Sequence, residues 1–169
     1  MEAIKVVVLS IVAAALYGIT HDQVTARICV EYFTLGHPPV FATESPTLLA
    51  LGWGVLATWW WGLILGLLLA GSARLGSRPK ASAASLVGPM GFLMLRVGGV
   101  ALLAGMAGYF AARQGWIRLL SPIADRLDPN REILFLAVMW AHIAAYAASA
   151  LEGIGLCIRT WRKRGKSTA

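Results

Sequence analysis

The chain has 169 residues, of which 58% are hydrophobic and 14% are charged, and its formal net charge is +7. Soluble domains have about 45–50% apolar and about 25% charged residues, so this composition excludes an ordinary soluble fold and favours one integral membrane domain. The Lys and Arg residues lie beside apolar runs, where they orient a membrane protein and contact anionic headgroups. This placement argues against nucleic acid as a partner.

Four apolar runs predict membrane-spanning helices, because about 20 apolar residues cross about 30 Å of hydrocarbon. We therefore predict an all-α fold, a four-helix transmembrane bundle. The first run is at the short limit, and its alanines at 13–15 would suit a cleaved signal peptide. A retained helix is favoured, because Glu2 offsets Lys5 and leaves a weak basic N-terminus. The predicted spans are about 3–19, 46–70, 84–112 and 132–158.

The connecting segments differ in charge and so predict the orientation. Segment 20–45 has more acidic than basic residues and is predicted to be an exported loop. Segment 71–83 has basic residues and no acidic ones, and it is predicted to be cytoplasmic. Segment 113–131 mixes both signs and is amphipathic, which suits the membrane interface. The tail 159–169 is basic. Both termini are therefore predicted to be cytoplasmic, and the Ala, Gly and Arg content favours a bacterial inner membrane.

Small residues recur every four positions in two of the spans and predict close helix packing. These stripes predict a seam between the second and fourth helices, or one seam in a homo-oligomer or a larger membrane complex. The stripes are Gly54, Thr58, Gly62, Gly66 and Ala70 in the second span, and Ala137, Ala141, Ala145, Ser149 and Gly153 in the fourth.

The predicted spans contain Arg96, His142 and Glu152, residue types that are costly in lipid unless they have a partner. Arg96 and Glu152 lie on helices of opposite direction, and helical side chains lean toward their own N-terminus, so the two converge in depth. We predict an intramembrane ion pair, which serves as a structural clasp or as part of a proton or ion path. His142 shares a helix face with Tyr146 and Ser149, which predicts a neutral imidazole with a hydroxyl partner, or alternatively a site ligand.

The predicted exported loop gathers His21, Asp22, Glu31 and His37 within 17 residues. Imidazole and carboxylate together suit a divalent metal, so His21, Glu31 and His37 are the candidate ligands. His21, Asp22, Glu31 and His142 are the candidate catalytic groups. Because His21 and Asp22 are adjacent, we expect them to point apart. Two other interpretations of the loop remain open. In one it is a simple cap of the bundle, and in the other it lines a cavity that reaches His142 and takes a headgroup or small ligand.

The stretch from Tyr17 to Pro39 has the pattern YG-x2-HDQVTAR-x-CVEYFT-x-GHPP. It resembles a family of uncharacterised bacterial multi-pass membrane proteins over 23 of the 169 residues. The resemblance implies a membrane location and carries no known activity, so it assigns no role to any residue.

Several functional classes lack support in the sequence, which contains no P-loop, dinucleotide fingerprint or GxSxG motif. Cys29 and Cys157 are predicted to lie on opposite sides of the membrane and not to form a disulfide, although Cys29 could pair with another chain. The leading prediction is a non-enzymatic subunit or binding module that uses the first exported loop. A membrane enzyme with a metal or acid–base site and an oligomeric proton- or ion-coupled carrier remain as alternatives.

Overall fold

The computed structural model describes residues 1–166, and every regular element within them is helical. This confirms the predicted all-α fold. The 114–131 connection contains two short 3-10 turns, Ala124–Arg126 and Pro129–Arg131. The helices are α1 Glu2–Ile28, α2 Glu31–Thr34, α3 Pro46–Leu56, α4 Trp59–Arg74, α5 Ala84–Arg113 and α6 Glu132–Lys166.

Four helical stretches are long and apolar enough to cross a membrane, as expected of an integral membrane protein. The second of them consists of α3 and α4 in succession. The stretches are Glu2–Ile28, Pro46–Arg74, Ala84–Arg113 and Pro129–Gly165. We call the end of the bundle that carries the start of α1, the C-terminal end of α6 and the 75–83 connection the termini face. The opposite end, with segments 29–45 and 114–131, is the loop face.

Helix α1 is longer than predicted, since it continues beyond residue 19 to Ile28. Gly18 does not end the helix. It is instead a point of close approach, where an added Cβ would overlap the Gly54 carbonyl oxygen and lie 2.6 Å from Thr58 Cγ2. His21 and Asp22 therefore lie on a helix rather than in a loop. Helix α6 likewise runs past 158 through the basic tail, of which residues 167–169 lie outside the described part.

The second span is interrupted between α3 and α4, at Ala57 and Thr58. The Thr58 hydroxyl donates to the Gly54 carbonyl at 2.5 Å, and the Tyr146 hydroxyl of α6 donates to the Ala57 carbonyl at 2.9 Å. Irregular backbone at membrane depth needs such partners, because lipid supplies none. The break is thereby stabilised from a neighbouring helix.

The small-residue stripe of the second span packs against α1, so its predicted seam with the fourth span is wrong. A Cβ on Gly54 would lie 2.5 Å from Ile19 N, and a Cβ on Gly62 would lie 2.7 Å from the Ser10 carbonyl oxygen. Helices that follow one another in the chain tend to be neighbours. The close packing of α1 with α3 and α4 follows this rule.

The stripe of α6 faces mainly α5 and in part α4. A Cβ on Gly105 would lie 3.3 Å from Ala141 Cβ and 3.4 Å from the Ala137 carbonyl oxygen. On the α4 side, a Cβ on Gly153 would lie 3.0 Å from Leu65. The bundle thus consists of two closely packed groups, α1 with α3 and α4, and α5 with α6.

The termini face is held together by Arg164, which is buried despite its charge. Its guanidinium donates to four backbone carbonyl oxygens, those of Ser72, Leu75, Arg78 and Pro79, at 2.5, 2.9, 3.0 and 2.6 Å. Arg164 therefore caps the C-terminal end of α4 and closes the 75–83 connection. This side chain of the basic tail is not available to lipid headgroups, whereas Arg162 and Lys163 are exposed.

Candidate functional site

A cavity of about 150 Å³ lies between the two helix groups and is lined mostly by residues of α1, α4, α5 and α6, with Tyr32, His37 and Trp53 at one end. Its lining extends along α1 from Ser10 to Asp22, which corresponds to about 18 Å at 1.5 Å per residue. Toward the termini face the wall is apolar, with Leu69, Met90 and Leu156. Toward the loop face it is rich in imidazole, carboxylate and phenol groups. The ionisable side chains of the lining therefore lie at one end, and Ser10, toward the other end, donates its hydroxyl to the Val6 carbonyl oxygen.

His142 of α6 forms the centre of the polar end. Its Nδ1 lies 2.9 Å from the Val138 carbonyl oxygen, which only accepts, so Nδ1 carries the proton. Its Nε2 lies 3.2 Å from Asp22 Oδ1 of α1. The exposed fractions of the two side chains are 12% and 8%. The partner of His142 is thus a carboxylate, and the predicted hydroxyl partner is wrong, because Tyr146 donates to Ala57 instead.

His21 completes a cluster with His142 and Tyr17. Its ring meets that of His142 edge-on at 4.6 Å between centroids and stacks on that of Tyr17 at 5.7 Å. Within the described residues, His21 Nε2 and the Tyr17 hydroxyl are buried and have no hydrogen-bond partner. A buried polar group without a partner costs roughly 1–3 kcal/mol of stability. A ligand in the cavity that binds to these two atoms would remove this cost.

The expectation that His21 and Asp22 point apart does not hold. One ligand atom from each of His21, Asp22 and His142 lies within 4.8 Å of the other two. Adjacent residues on a helix project about 100° apart. His142 approaches from the opposite helix group, between the two directions, and the three side chains converge there.

Glu31 lies apart from this cluster, at the loop face. Its two carboxylate oxygens accept from Arg131 Nε and Nη2, each at 2.8 Å. This bidentate pair holds the pKa of Glu31 at about 2. The Arg131 guanidinium thus engages a carboxylate that the sequence suggested as a metal ligand, and the pair ties segment 29–45 to the start of α6.

Cys29 lies in the same region and is fully buried. Its thiol donates to Glu31 Oε2 at 3.3 Å. Burial raises the pKa of Cys29 to about 11. A buried thiol that remains protonated is a poor disulfide partner, so the structure does not favour the suggested pairing with another chain. Cys29 and Cys157 are both free.

His37 lines the cavity from the loop side. Its Nδ1 donates to the Tyr32 carbonyl oxygen at 2.9 Å, and its ring lies 4.5 Å from that of Trp53. Burial lowers the pKa of His37, which favours the neutral imidazole. It therefore belongs to the wall of the site, although not to the cluster formed by His21, Asp22 and His142.

Tyr32 is a residue that the sequence analysis missed. Its ring centroid lies 4.5 Å from that of His142, 5.0 Å from that of His37 and 5.4 Å from that of Phe135. It covers the loop side of the polar cluster. The aromatic pair Tyr32-Phe33 in a connecting segment was the available signal, because two adjacent large rings are seldom left exposed.

Arg96 and Glu152 are brought together outside the cavity. Arg96 Nη2 lies 2.6 Å from Glu152 Oε1, and Arg159 Nη2 lies 3.7 Å from Glu152 Oε2. The Arg96 side chain is 51% exposed. Neither residue of the pair lines the cavity. The geometry is that of a clasp between α5 and α6.

Comparison with known proteins supplies no further assignment: no family model, no curated protein and no solved structure matches this chain.

Proposed function

We propose that this protein is a membrane-embedded binding module that takes one single-chain amphiphile into the cavity between its helix groups. The polar head lies at the loop-face end, beside His21, and the hydrocarbon chain extends toward the termini face. Ligand pockets are typically apolar with a few convergent polar groups that orient the ligand. The one-sided polarity of this cavity matches a molecule with a polar head and an apolar body.

The observation that carries the proposal is the pair of buried, unpartnered atoms at the polar end, Tyr17 Oη and His21 Nε2. A head that both donates and accepts hydrogen bonds would satisfy both atoms. The apolar wall supports the other half of the proposal. Leu65, Leu69 and Leu156 would replace lipid around a single chain, and the lined length of about 18 Å along α1 suits an extended one.

The segment predicted to be an exported loop also contributes to the proposed site, because Tyr32 and His37 line the polar end of the cavity. The proposal deepens the predicted binding module and moves the centre of the site from the loop into α1 and α6. We propose no carrier function, since the ion pair of Arg96 and Glu152 stands outside the cavity.

For the membrane topology, we propose that the termini face is cytoplasmic, in a bacterial inner membrane. The exposed bases Lys80, Arg162 and Lys163 support this orientation and would contact anionic headgroups. Protease treatment of sealed inverted vesicles should remove tags from both termini. Removal of a tag from one terminus only would refute the orientation.

Photolabelling in lipid nanodiscs tests the binding proposal without competing detergent. The probe is a long-chain alcohol with a diazirine midway along its chain. We expect labelling of Leu65, Leu69 or Leu156, and excess unlabelled alcohol should suppress it. Labelling of the lipid-exposed Leu67 and Leu151 should not saturate. If only lipid-exposed positions are labelled, or if no labelling saturates, the cavity does not bind this class of ligand.

Two conservative variants test the role of the polar end. Tyr17→Phe removes a hydroxyl that has no partner, so it should leave the protein equally stable or more so while weakening saturable labelling roughly 3- to 10-fold. Tyr146→Phe is the matched control, because its hydroxyl donates to Ala57. It should lower stability and leave saturable labelling of the folded protein less affected. Equal labelling by Tyr17→Phe and the unmodified protein would argue against the proposed head position.

A further inference from the structure

The contact between His142 and Asp22 requires a proton or a cation between the two side chains. With Nδ1–H donating to the Val138 carbonyl, a neutral His142 presents the lone pair of Nε2 to Asp22 Oδ1 at 3.2 Å. Two acceptors at this distance repel each other unless a proton or a cation lies between them. Because both side chains are nearly enclosed, bulk water does not screen the repulsion.

A proton would satisfy this pair and nothing else. His21 Nε2 is buried at the same end of the cavity and would remain without a partner. A metal ion differs from a proton in accepting lone pairs from several groups at once. The third buried group therefore favours a metal ion over a shared proton.

We infer that His21, Asp22 and His142 form a binding site for one divalent first-row transition-metal ion. Two imidazoles and one carboxylate suit zinc or iron(II). Bonds of about 2.1 Å place the ligand atoms of a tetrahedral ion roughly 3.4 Å apart. The His142–Asp22 distance of 3.2 Å is close to this value, and the ligand atoms, which all lie within 4.8 Å of one another, would move closer together when the ion binds.

The surroundings of the cluster support this assignment. A ligating imidazole usually donates its other N–H to a carbonyl or carboxylate, which fixes its tautomer and orientation, and Val138 does this for His142. All three ligands also line the cavity, so the remaining coordination positions of the ion face its interior. The site is distinct from the set predicted from the sequence, because Glu31 is paired with Arg131 and His37 with the Tyr32 carbonyl.

The metal would also have a structural consequence. Its ligands come from α1 and α6, which belong to different helix groups, so the ion would link the two groups across the cavity. Binding to the folded state alone raises stability with the free metal concentration. The ion would take His21 Nε2, so an amphiphile head bound at the same time would contact the ion and the Tyr17 hydroxyl. Metal binding itself is measured without the amphiphile.

The test is a titration of chelator-treated, folded protein with Co²⁺, whose visible absorption reports its coordination. We expect a saturable spectrum at one Co²⁺ per chain, displacement of Co²⁺ by Zn²⁺, and a higher melting temperature with either ion. Asp22→Asn and His142→Gln should weaken binding at least about 10-fold. Asp125→Asn is the control for Asp22→Asn, since it removes an exposed carboxylate outside the cavity lining, and it should bind as the unmodified protein does.

The titration of the unmodified protein decides the question even if a variant does not fold. Absence of a saturable spectrum at one equivalent would overturn the inference, and so would an equal loss of binding in Asp125→Asn and Asp22→Asn. Metal binding without saturable photolabelling would refute the amphiphile alone, and the opposite result would refute the metal alone.

Discussion

Replacement of Arg164 by alanine tests whether one buried cation organises the termini face. The side chain is only 4% exposed and donates to the carbonyl oxygens of Ser72, Leu75, Arg78 and Pro79. The last carbonyls of a helix lack partners within the helix. Alanine would leave these acceptors without their donor at the place where α4, α6 and the 75–83 connection meet.

The magnitude follows from the four hydrogen bonds. Each charge-assisted bond contributes about 1.5–3 kcal/mol net, but water can reach some of the freed carbonyls at the end of the bundle. We therefore expect Arg164→Ala to lower the free energy of unfolding by about 3–5 kcal/mol, less than the sum. Arg164→Lys should lose about half as much, because an ammonium has three donors and lacks the planar fork of the guanidinium.

The assay is unfolding in mixed micelles as the mole fraction of SDS increases, followed by tryptophan fluorescence. Arg162→Ala is the matched control, since it removes an exposed charge from the same turn of α6. It should change the free energy of unfolding by less than about 0.5 kcal/mol. If Arg164→Ala and Arg162→Ala differ by less than about 1 kcal/mol, the proposed capping role is refuted.

Two further predictions concern the stability of the protein, one at helix contacts made by glycine and one in its dependence on pH. Gly54→Ala should destabilise the protein by at least about 2 kcal/mol, because the new Cβ would lie 2.5 Å from Ile19 N. Gly99→Ala places its Cβ in open space and should leave the stability unchanged or raise it. SDS unfolding of both variants measures the difference, and equal effects would contradict the packing argument. The pKa of Glu31 is lowered to about 2 by Arg131, so its contribution to stability is complete above pH 4.5 and decreases as the pH falls toward 2. Glu31→Gln should make the melting temperature less dependent on pH in this range, and an unchanged dependence would count against the role of the ion pair.

The helical architecture was predictable because crossing a membrane is a local property of a segment. Twenty apolar residues satisfy it regardless of their neighbours, so four spans were recognised from hydropathy alone. The ends of the helices were less predictable. Hydropathy falls after residue 19, yet α1 continues to Ile28. The polar residues His21 and Asp22 lower the hydropathy there, but in the structure they line the cavity from one face of the helix.

The depths of Arg96 and Glu152 followed from the direction in which helical side chains lean, and the structure brings these residues to 2.6 Å. Both side chains are long and lie at one depth, so they can reach each other over a range of rotations of α5 and α6. The contact of His142 with Asp22 tolerates much less rotation, because both side chains are short and meet only if α1 and α6 present them toward the same cavity.

The sequence by itself determined that the chain is an all-helical bundle with four apolar spans and named the residues able to carry chemistry. Only the tertiary structure decided that the second span packs on α1, that Glu31 is engaged by Arg131, and that His21, Asp22 and His142 converge. The physical reason is that the lipid tails and the interior of the bundle are similarly apolar. The composition of a helix therefore does not show which of its faces contacts which neighbouring helix. That rotation is set by close contacts of small residues, such as Gly54 with Ile19, which exist only once the helices pack.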